Sequence, residues 1–328
     1  MSILVTGGAG YVGSLTVAAL QQRGDSIVVL DNLSTGHRDA VPSSLPFYQG
    51  DIADQTLVAN IVKKHDVTQV VHFAALSLVG ASVADPASYF ANNTAGALGL
   101  FDALRRCGVK NVVFSSTAAT YGEPRYTPID EDHPKVPTNP YGLSKYFVEQ
   151  ILDTFDQAYG MTHVALRYFN ACGASETLGE DHSPESHLIP LILQAALGQR
   201  EAISIFGDDY PTPDGTCIRD YIHVEDLATA HLAALDYLKN GGSSQKINLG
   251  NGKGFSVREV IDTVRSVTGH PIPEIIAPRR AGDPSILIAS ATRAHTILNW
   301  TPRYALRPII ESAWTWHKSH PDGYEDKK

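Results

Sequence analysis

The first 31 residues predict a strand, a glycine turn, a helix and a second strand, an order that strongly constrains the fold. The apolar run Ile3-Leu4-Val5 leads into Thr6-Gly7-Gly8-Ala9-Gly10-Tyr11-Val12-Gly13, and the predicted helix ends near Gly24. Glycines at positions 7, 10 and 13 allow a tight turn, close approach of a pyrophosphate to the helix N-terminus, and close packing of the helix on the strand. The segment therefore predicts a dinucleotide-binding unit.

Asp31 follows the second apolar strand, Ile27-Val28-Val29-Leu30, about 18 residues after Gly13. A carboxylate at this place can accept hydrogen bonds from both ribose hydroxyls of an adenosine and repels a 2′-phosphate. The next residues, Asn32 and Leu33, offer no cation, and Arg38 is predicted to face solvent. The pattern favours NAD over NADP.

Predicted strands and helices continue to alternate as far as Asn170. Apolar strands near 47–49, 69–75 and 111–115 are separated by helices near 54–64 and before Cys107. Strands that alternate with helices and are apolar throughout are typical of a parallel sheet covered on both faces. We therefore predict an α/β fold with a doubly wound parallel sheet (Rossmann fold) over 1–170 and a second, smaller α/β domain over 171–328.

Composition argues against several functional classes. The chain has 26 basic and 35 acidic residues, a net charge of −9 and no lysine or arginine block, which argues against binding nucleic acid or an anionic membrane. No apolar run approaches the roughly 20 residues that span a bilayer, and the N-terminus does not resemble a signal peptide. Three cysteines without paired spacing predict neither a disulfide framework nor a metal site. We expect a cytoplasmic protein.

Tyr141 and Lys145 are the candidate catalytic pair. Asn139-Pro140 predicts the start of a helix, and Phe147, Ile151 and Phe155 predict its buried stripe. Residues four apart share one helix face, so a lysine ammonium would lie beside a tyrosine hydroxyl. The cation favours the phenolate and is expected to lower the pKa of the tyrosine toward neutrality. The pair is a candidate base for an alcohol proton.

The same spacing by itself is equally consistent with an ordinary surface tyrosine. Tyr324 and Lys328 also satisfy it, in a charged C-terminal tail that we expect to fray. The hydroxyls of Ser115-Ser116-Thr117 follow a predicted strand, where ligands bind in open parallel sheets. They could also cap a turn.

Several motifs taken together resemble the extended short-chain dehydrogenase/reductase family and, within it, the nucleotide-sugar 4-epimerases. The motifs are T-G-G-A-G-Y-V-G at 6–13, L-D-N-L at 30–33, H-F-A-A at 72–75, F-S-S-T-A-A-T-Y-G at 114–122, P-Y-G-L-S-K at 140–145, L-R-Y-F-N at 166–170, G-T-C-I-R-D-Y-I-H-V at 215–224 and A-P-R-R-A-G-D at 277–283. The resemblance implies tightly held NAD and reversible C4 epimerisation of UDP-galactose and UDP-glucose through a 4-keto sugar, in galactose metabolism (the Leloir pathway). It also implies a cytoplasmic homodimer, and the return of a segment near 220–252 to the first domain.

The resemblance also implies roles for individual residues. Thr117 would bind the sugar, Tyr141 would be the base, and Lys145 would also touch the nicotinamide ribose. The implied cofactor contacts, which include the glycine turn and Asp31, are Gly7, Gly10, Tyr11, Val12, Gly13, Asp31, Asn32, Asp51, Ile52, Phe73, Ala74, Asn92, Ser115, Tyr141, Lys145 and Tyr168. The implied substrate contacts are Thr117, Tyr141, Asn170, His187, Leu188, Phe206, Arg219, Arg280, Asp283 and Leu287.

Some alternatives remain open. Arg219 and Arg280 suit a pyrophosphate because a guanidinium donates two parallel hydrogen bonds, but either could form a surface salt bridge, Arg219 with Asp220. Ser77 and His187 stand where some family members have Lys and Asn. The rival functions are a 4-epimerase of UDP-N-acetylhexosamines or other nucleotide sugars, a 4,6-dehydratase, and a non-catalytic NAD sensor. Ala118 and Ala119 disfavour the dehydratase, which needs carboxylates at those positions.

Overall fold

Thirteen strands occur in the computed structural model, which describes residues 1–280 and 283–325. In chain order they are β1 (Ser2–Thr6), β2 (Ile27–Asp31), β3 (Phe47–Gln49), β4 (Val67–His72), β5 (Asn111–Thr117), β6 (Thr162–Tyr168), β7 (Asn170–Cys172), β8 (Ile203–Phe206), β9 (Ile218–His223), β10 (Gln245–Leu249), β11 (Gly254–Ser256), β12 (Glu274–Ala277) and β13 (Ile286–Leu287). Seven strands form one sheet in the order β10-β6-β5-β4-β1-β2-β3. All of its pairings are parallel. The fold prediction is confirmed.

Helices cover both faces of this sheet. Those among the described residues are α1 (Tyr11–Arg23), α2 (Gln55–His65), α3 (Val79–Ala84), α4 (Pro86–Tyr89), α5 (Ala97–Arg106), α6 (Pro140–Tyr159), α7 (Leu188–Ala196), α8 (Val224–Lys239), α9 (Val257–Thr268), α10 (Thr292–Leu298) and α11 (Leu306–Ser319). On one face the core includes α1 and α8, and on the other it includes α2, α5 and α6. The strands are buried on both sides, which explains their nearly continuous apolar runs.

A smaller unit follows β6. Strands β7, β9, β11 and β13 form a four-stranded sheet, and β8 and β12 form a two-stranded one. A separate core contains α7, α9 and α11. The chain returns to the large sheet at β10, which pairs with β6. The carboxyl ends of the large sheet and this smaller unit therefore face a common space.

Helix α6 begins as predicted, but its buried face matches the predicted stripe only in part: Ile151 and Phe155 are half-buried and pack against the core. The Asn139 side chain accepts a hydrogen bond from the Gly142 N–H at 2.8 Å, and Pro140 occupies the first turn. Phe147 is 41% exposed, so the prediction that it belongs to a buried stripe is wrong. The buried positions are Gly142, Ser144, Lys145, Val148, Glu149 and Leu152. The apolar pattern was misleading because three polar residues with internal partners occupy the core side.

Glu149 and Arg167 form a buried ion pair that connects α6 to the sheet. Arg167 Nε donates to Glu149 Oε1 at 2.9 Å, and both side chains are at most 2% exposed. Ser116 on β5 donates to the same carboxylate at 2.6 Å. Arg167 also donates to the hydroxyl of Tyr121 at 2.8 Å, which in turn donates to Asn248 on β10. The network links α6 to β5, β6 and β10.

The C-terminal segment differs from the prediction. Tyr324 is buried, and its hydroxyl accepts a hydrogen bond from the Gly179 N–H at 3.2 Å. The prediction of a frayed tail is therefore wrong for Tyr324, while Lys328 lies outside the described residues. Among the residues described, no helix is both long and apolar enough to cross a membrane.

We predict that Glu149→Ala lowers the free energy of unfolding by about 3–5 kcal/mol, because it leaves the Arg167 charge buried without its carboxylate. Urea unfolding followed by circular dichroism measures the change. Glu311→Ala is the matched control, since Glu311 pairs with Arg307 on an exposed helix face and such pairs contribute roughly 0.5 kcal/mol. Equal effects of the two substitutions would contradict the prediction.

Candidate active site

A cavity of about 1180 Å³ lies between the carboxyl ends of the large sheet and the smaller unit. It is lined by the glycine turn, by the end of β5, by the start of α6 and by residues of the smaller unit. Every residue predicted to contact cofactor or substrate lines this cavity, with two exceptions among the described residues, Asp51 and Leu287. The structure therefore brings both sets of predicted contacts into one space.

The glycine turn is closed too tightly for side chains at two of its positions. Gly7 has a φ of +73°, and a Cβ added to it would lie 2.4 Å from the Ala74 backbone nitrogen. A Cβ on Gly13 would lie 2.1 Å from the Gly7 carbonyl oxygen. Helix α1 therefore starts directly against the turn, with its N-terminal N–H groups toward the cavity, as a pyrophosphate site requires.

The carboxylate of Asp31 is held at the cavity wall by two backbone donors. The Ala9 N–H donates to Oδ2 at 2.9 Å and the Leu33 N–H donates to Oδ1 at 2.8 Å. An ionised carboxylate only accepts hydrogen bonds, and this one lines the cavity, where ribose hydroxyls could donate to it. Arg38 is half-buried rather than solvent-facing: it lies over the ring of Phe47, 4.5 Å from the centroid, and donates to a backbone carbonyl. The wall near Asp31 therefore fits NAD better than NADP.

Asp51 lies close to this wall without lining it. Its side chain accepts a hydrogen bond from the Ala53 N–H at 2.8 Å and one from Asn32 Nδ2 at 3.4 Å. The neighbouring Ile52 is buried and lines the cavity. Asp51 thus shapes the loop that presents Asn32 and Ile52.

Tyr141, Lys145 and Thr117 line the cavity together, but Lys145 does not lower the pKa of Tyr141 as predicted. Burial raises the pKa of Tyr141 to about 12, and only the hydrogen bond with Thr117 opposes this shift. Lys145 Nζ donates to the Ser115 carbonyl oxygen at 2.8 Å, and burial lowers its own pKa to about 7. The expectation is wrong, because desolvation dominates the pKa of Tyr141, and the Lys145 ammonium is directed at a backbone carbonyl.

A π-helical segment, Phe90–Gly96, fixes the first turn of α6. Asn93 Nδ2 donates to Ser144 Oγ at 3.1 Å, and Thr94 Oγ1 donates to the Ser144 carbonyl oxygen at 3.3 Å. Ser144 lies next to Lys145 and one turn after Tyr141, so this contact sets the position of the candidate catalytic pair. Such π-helical turns are frequent at functional sites. Asn92, a predicted cofactor contact, belongs to the same segment.

The arginines of the smaller unit have partners that the sequence did not predict. Arg219 forms an ion pair with Asp283, not with Asp220. Asp220 instead accepts hydrogen bonds from the backbone N–H groups of Asn251, Gly252 and Ala289. The guanidinium of Arg280 lies over the ring of Phe206, 3.9 Å from its centroid. Both arginines line the cavity together with Arg200, so three arginines face it from the smaller unit.

Sequence reasoning missed a cluster of four acid and histidine side chains in the cavity wall, which we call the acid–histidine cluster: Glu180, His182, Glu185 and His187. One ligand atom from each lies within 4.8 Å of the others. His187, a predicted substrate contact, directs its Nδ1 at Glu180 Oε1, 2.7 Å away. The Glu-x-His-x-x-Glu-x-His spacing could have revealed the cluster, but the prediction of no metal site rested on cysteines.

The cavity combines three features: a Rossmann sheet, a glycine turn suited to a dinucleotide, and a second wall with a tyrosine–lysine pair. Together they define an NAD-binding enzyme that acts on a second ligand. The chain belongs to the NAD dependent epimerase/dehydratase family, whose model matches residues 3–250. A UDP-glucose 4-epimerase of Halalkalibacterium halodurans is 57% identical, over 99% of this chain and 98% of its own.

Two solved structures extend the comparison. A crystal structure of a UDP-glucose 4-epimerase has a TM-score of 0.97 and 52% identity, covering 99% of this chain and 100% of its own. Another, from Bifidobacterium longum, contains NAD+ and UDP and has a TM-score of 0.93 and 37% identity, covering 99% of this chain and 100% of its own. The likeness therefore extends over both the large sheet and the smaller unit.

We predict that Gly13→Ala protein is purified with little bound NAD, because the added methyl group forces the turn and α1 apart. NAD released by acid denaturation, counted per chain, measures the effect. Gly99→Ala is the matched control, since its added Cβ would meet nothing closer than 3.4 Å and alanine suits a helix interior. Full NAD occupancy in a folded Gly13→Ala protein would contradict the assignment of the turn.

Proposed function

We propose that this protein catalyses the NAD-dependent, reversible C4 epimerisation of UDP-galactose and UDP-glucose through a 4-keto intermediate. One observation carries the proposal: Tyr141, Lys145 and Thr117 line the same cavity as the glycine turn and Asp31, and Arg219 and Arg280 of the smaller unit line it too. The names of the similar proteins agree with it. The expected place of this reaction is galactose metabolism.

Tyr141 is the proposed base. Its hydroxyl takes the proton of the sugar C4 hydroxyl, while the C4 hydrogen leaves with its electron pair, so the sugar becomes a 4-ketone. When bound, oxidised NAD supplies the acceptor for that hydride and a positive charge that favours the phenolate of Tyr141. Tyr141 and Thr117 then hydrogen-bond the keto oxygen.

Inversion requires the sugar to turn over while its nucleotide stays in place. Arg219 and Arg280 are the proposed pyrophosphate contacts, with Asn170, Leu188 and Phe206 beside them in the cavity wall. Binding energy from the nucleotide is far from the reacting carbon, so the hexosyl group can remain loosely held. When the ketone is reduced from its other face, Tyr141 returns the proton to O4.

Two rival functions fit less well. A 4,6-dehydratase needs an acid and a base next to the hydroxyl residue, whereas Ala118 and Ala119 follow Thr117 and carry no titratable group. A non-catalytic NAD sensor has no need for a buried lysine and tyrosine at the ligand. Turnover of UDP-galactose separates the sensor from the enzyme.

We predict that the purified protein converts UDP-galactose to UDP-glucose without added NAD, since each cycle returns the cofactor to its starting state. Tyr141→Phe should lower kcat at least about a hundredfold, the usual scale of general acid–base catalysis, with UDP affinity nearly unchanged. Tyr146→Phe, a change to a nearby tyrosine on α6, is the control. Near-normal turnover by the Tyr141→Phe protein would show that Tyr141 is not the base. Ser116 is a poor substitute, because its hydroxyl donates to Glu149.

Leu287 is the residue that we propose influences which UDP-sugars the protein accepts. It pairs in register with Arg219, which lines the cavity, although Leu287 is not among the lining residues that the structure describes. Apolar bulk alone discriminates by about 1–3 kcal/mol. We therefore propose a preference for UDP-galactose and UDP-glucose, with lower but measurable turnover of the N-acetylhexosamine counterparts.

We predict that Leu287→Tyr raises the ratio of kcat/KM for UDP-galactose over UDP-N-acetylgalactosamine about tenfold or more, because a larger ring leaves less room for the N-acetyl group. Steady-state kinetics on both substrates measure the ratio. Ile275→Tyr, at a position 60% exposed on β12 of the smaller unit, is the control. An unchanged ratio would mean that Leu287 only packs within the smaller unit.

Three further proposals follow from the same reasoning. We propose that the chain divides into an NAD-binding domain at 1–170 and a UDP-sugar domain at 171–328, with a segment near 220–252 returning to the first domain. The pairing of β10 with β6 supports this division.

We propose a homodimer through α5 and α6, whose Leu98 and Phe147 are 43% and 41% exposed. We propose a cytoplasmic location, which the three unpaired cysteines support.

A further inference from the structure

The acid–histidine cluster has the geometry of a metal site. His182 Nδ1 lies 3.2 Å from Glu180 Oε1 and 3.7 Å from Glu185 Oε2. His187 Nδ1 lies 2.7 Å from Glu180 Oε1 and 3.1 Å from Glu185 Oε1. A tetrahedral zinc ion with bonds of about 2.0–2.1 Å holds its ligand atoms about 3.3 Å apart. The four histidine–carboxylate separations scatter around that value, and all four ligand atoms lie within 4.8 Å of one another.

The ligand types also fit a particular class of metal. Two imidazole nitrogens and two carboxylate oxygens suit Zn²⁺ and similar transition metals, whereas Mg²⁺ and Ca²⁺ prefer oxygen ligands alone. The side chains of Glu180 and Glu185 are only 4% and 7% exposed, while that of His187 is 44% exposed. The site is therefore enclosed on its carboxylate side and open toward the cavity, which gives an ion a route of entry.

The ion pairs within the cluster are the competing explanation. Burial opposes protonation of both histidines, yet the two carboxylates raise the pKa of His182 to about 9 and that of His187 to about 10. Two imidazolium groups and two carboxylates make a neutral set, and so do two neutral imidazoles, two carboxylates and one divalent cation. His182 Nδ1 is buried, and among the described residues it makes no hydrogen bond despite its closeness to the two carboxylates. A metal ion would satisfy this atom.

We propose that Glu180, His182, Glu185 and His187 bind one zinc-class divalent cation, which braces the wall of the active-site cavity. All four ligands come from one loop between β7 and α7, and the loop packs against the glycine turn. The ring of Tyr11 meets that of His182 edge-on at 6.2 Å, and the Tyr11 hydroxyl donates to the Gly173 carbonyl oxygen at 2.5 Å. The metal would hold this loop against the dinucleotide site, with a structural role.

Metal binding to the full-length, tag-free protein tests the proposal. After chelation and dialysis, the wild type is equilibrated with Zn²⁺, and bound zinc is counted by mass spectrometry. We expect one tightly held zinc per chain and a higher Tm than in the metal-free protein. Zinc below about one-fifth of an equivalent, with no change in Tm, would overturn the proposal and leave the ion pairs as the full explanation.

Substitutions within the acid–histidine cluster, and the spectrum of bound Co²⁺, test which residues bind the metal ion. His182→Gln and Glu185→Gln should each lose the bound zinc, while His295→Gln, which changes an exposed histidine on α10, should retain it. Equal zinc in all three variants would mean adventitious binding and would overturn the proposal. The wild type with Co²⁺ gives an answer that does not depend on the folding of variants. Intense visible d–d bands without a thiolate charge-transfer band support a tetrahedral nitrogen–oxygen site, whereas weak octahedral bands or a thiolate band contradict it.

Discussion

The ion pair between Glu149 and Arg167 is the interaction on which the geometry of the active site depends. Helix α6 carries Tyr141 and Lys145, and Glu149 lies one turn further along the same face. Two charges removed from water are stable only when their hydrogen-bonding capacity is filled. Here Ser116 and Tyr121 supply the remaining partners. Because Ser116 lies between Ser115 and Thr117 on β5, the same carboxylate fixes the helix and the strand end that line the cavity.

Burial in this site has a chemical consequence as well as a structural one. Lys145 is 3% exposed, and its ammonium has the Ser115 carbonyl as hydrogen-bond partner. Desolvation lowers the pKa of Lys145 to about 7 and raises that of Tyr141 to about 12, so both groups are poised toward their neutral forms. Adding positive charge to the cavity would favour the phenolate. The spacing of the two residues alone therefore overstates how readily Tyr141 ionises.

The sequence predicted the large sheet well, because its signals are local. Glycine spacing, Asp31 at the end of β2 and apolar strands depend on a few neighbouring residues, and the Asn139 cap follows from two. The buried face of α6 was predicted only in part, since Ser144, Lys145 and Glu149 are buried with partners from distant parts of the chain, which no local pattern reveals. The pairing of Arg219 with Asp283 likewise joins residues 64 positions apart. Tyr324 was expected to fray because its contact with Gly179 is also non-local.

Because the protein is negatively charged overall, binding of an anionic ligand depends on positively charged side chains at the binding site. With a net charge of −9, the average field repels a pyrophosphate, so attraction must come from groups at the cavity itself. Asp283 holds Arg219 in place and at the same time offsets part of its charge. Arg280 is positioned differently, by stacking on Phe206, which fixes the guanidinium plane without neutralising it. Since a stacked guanidinium keeps its N–H groups available at its edge, we expect Arg280 to be the stronger of the two proposed diphosphate contacts, and Arg219 to contribute orientation more than charge.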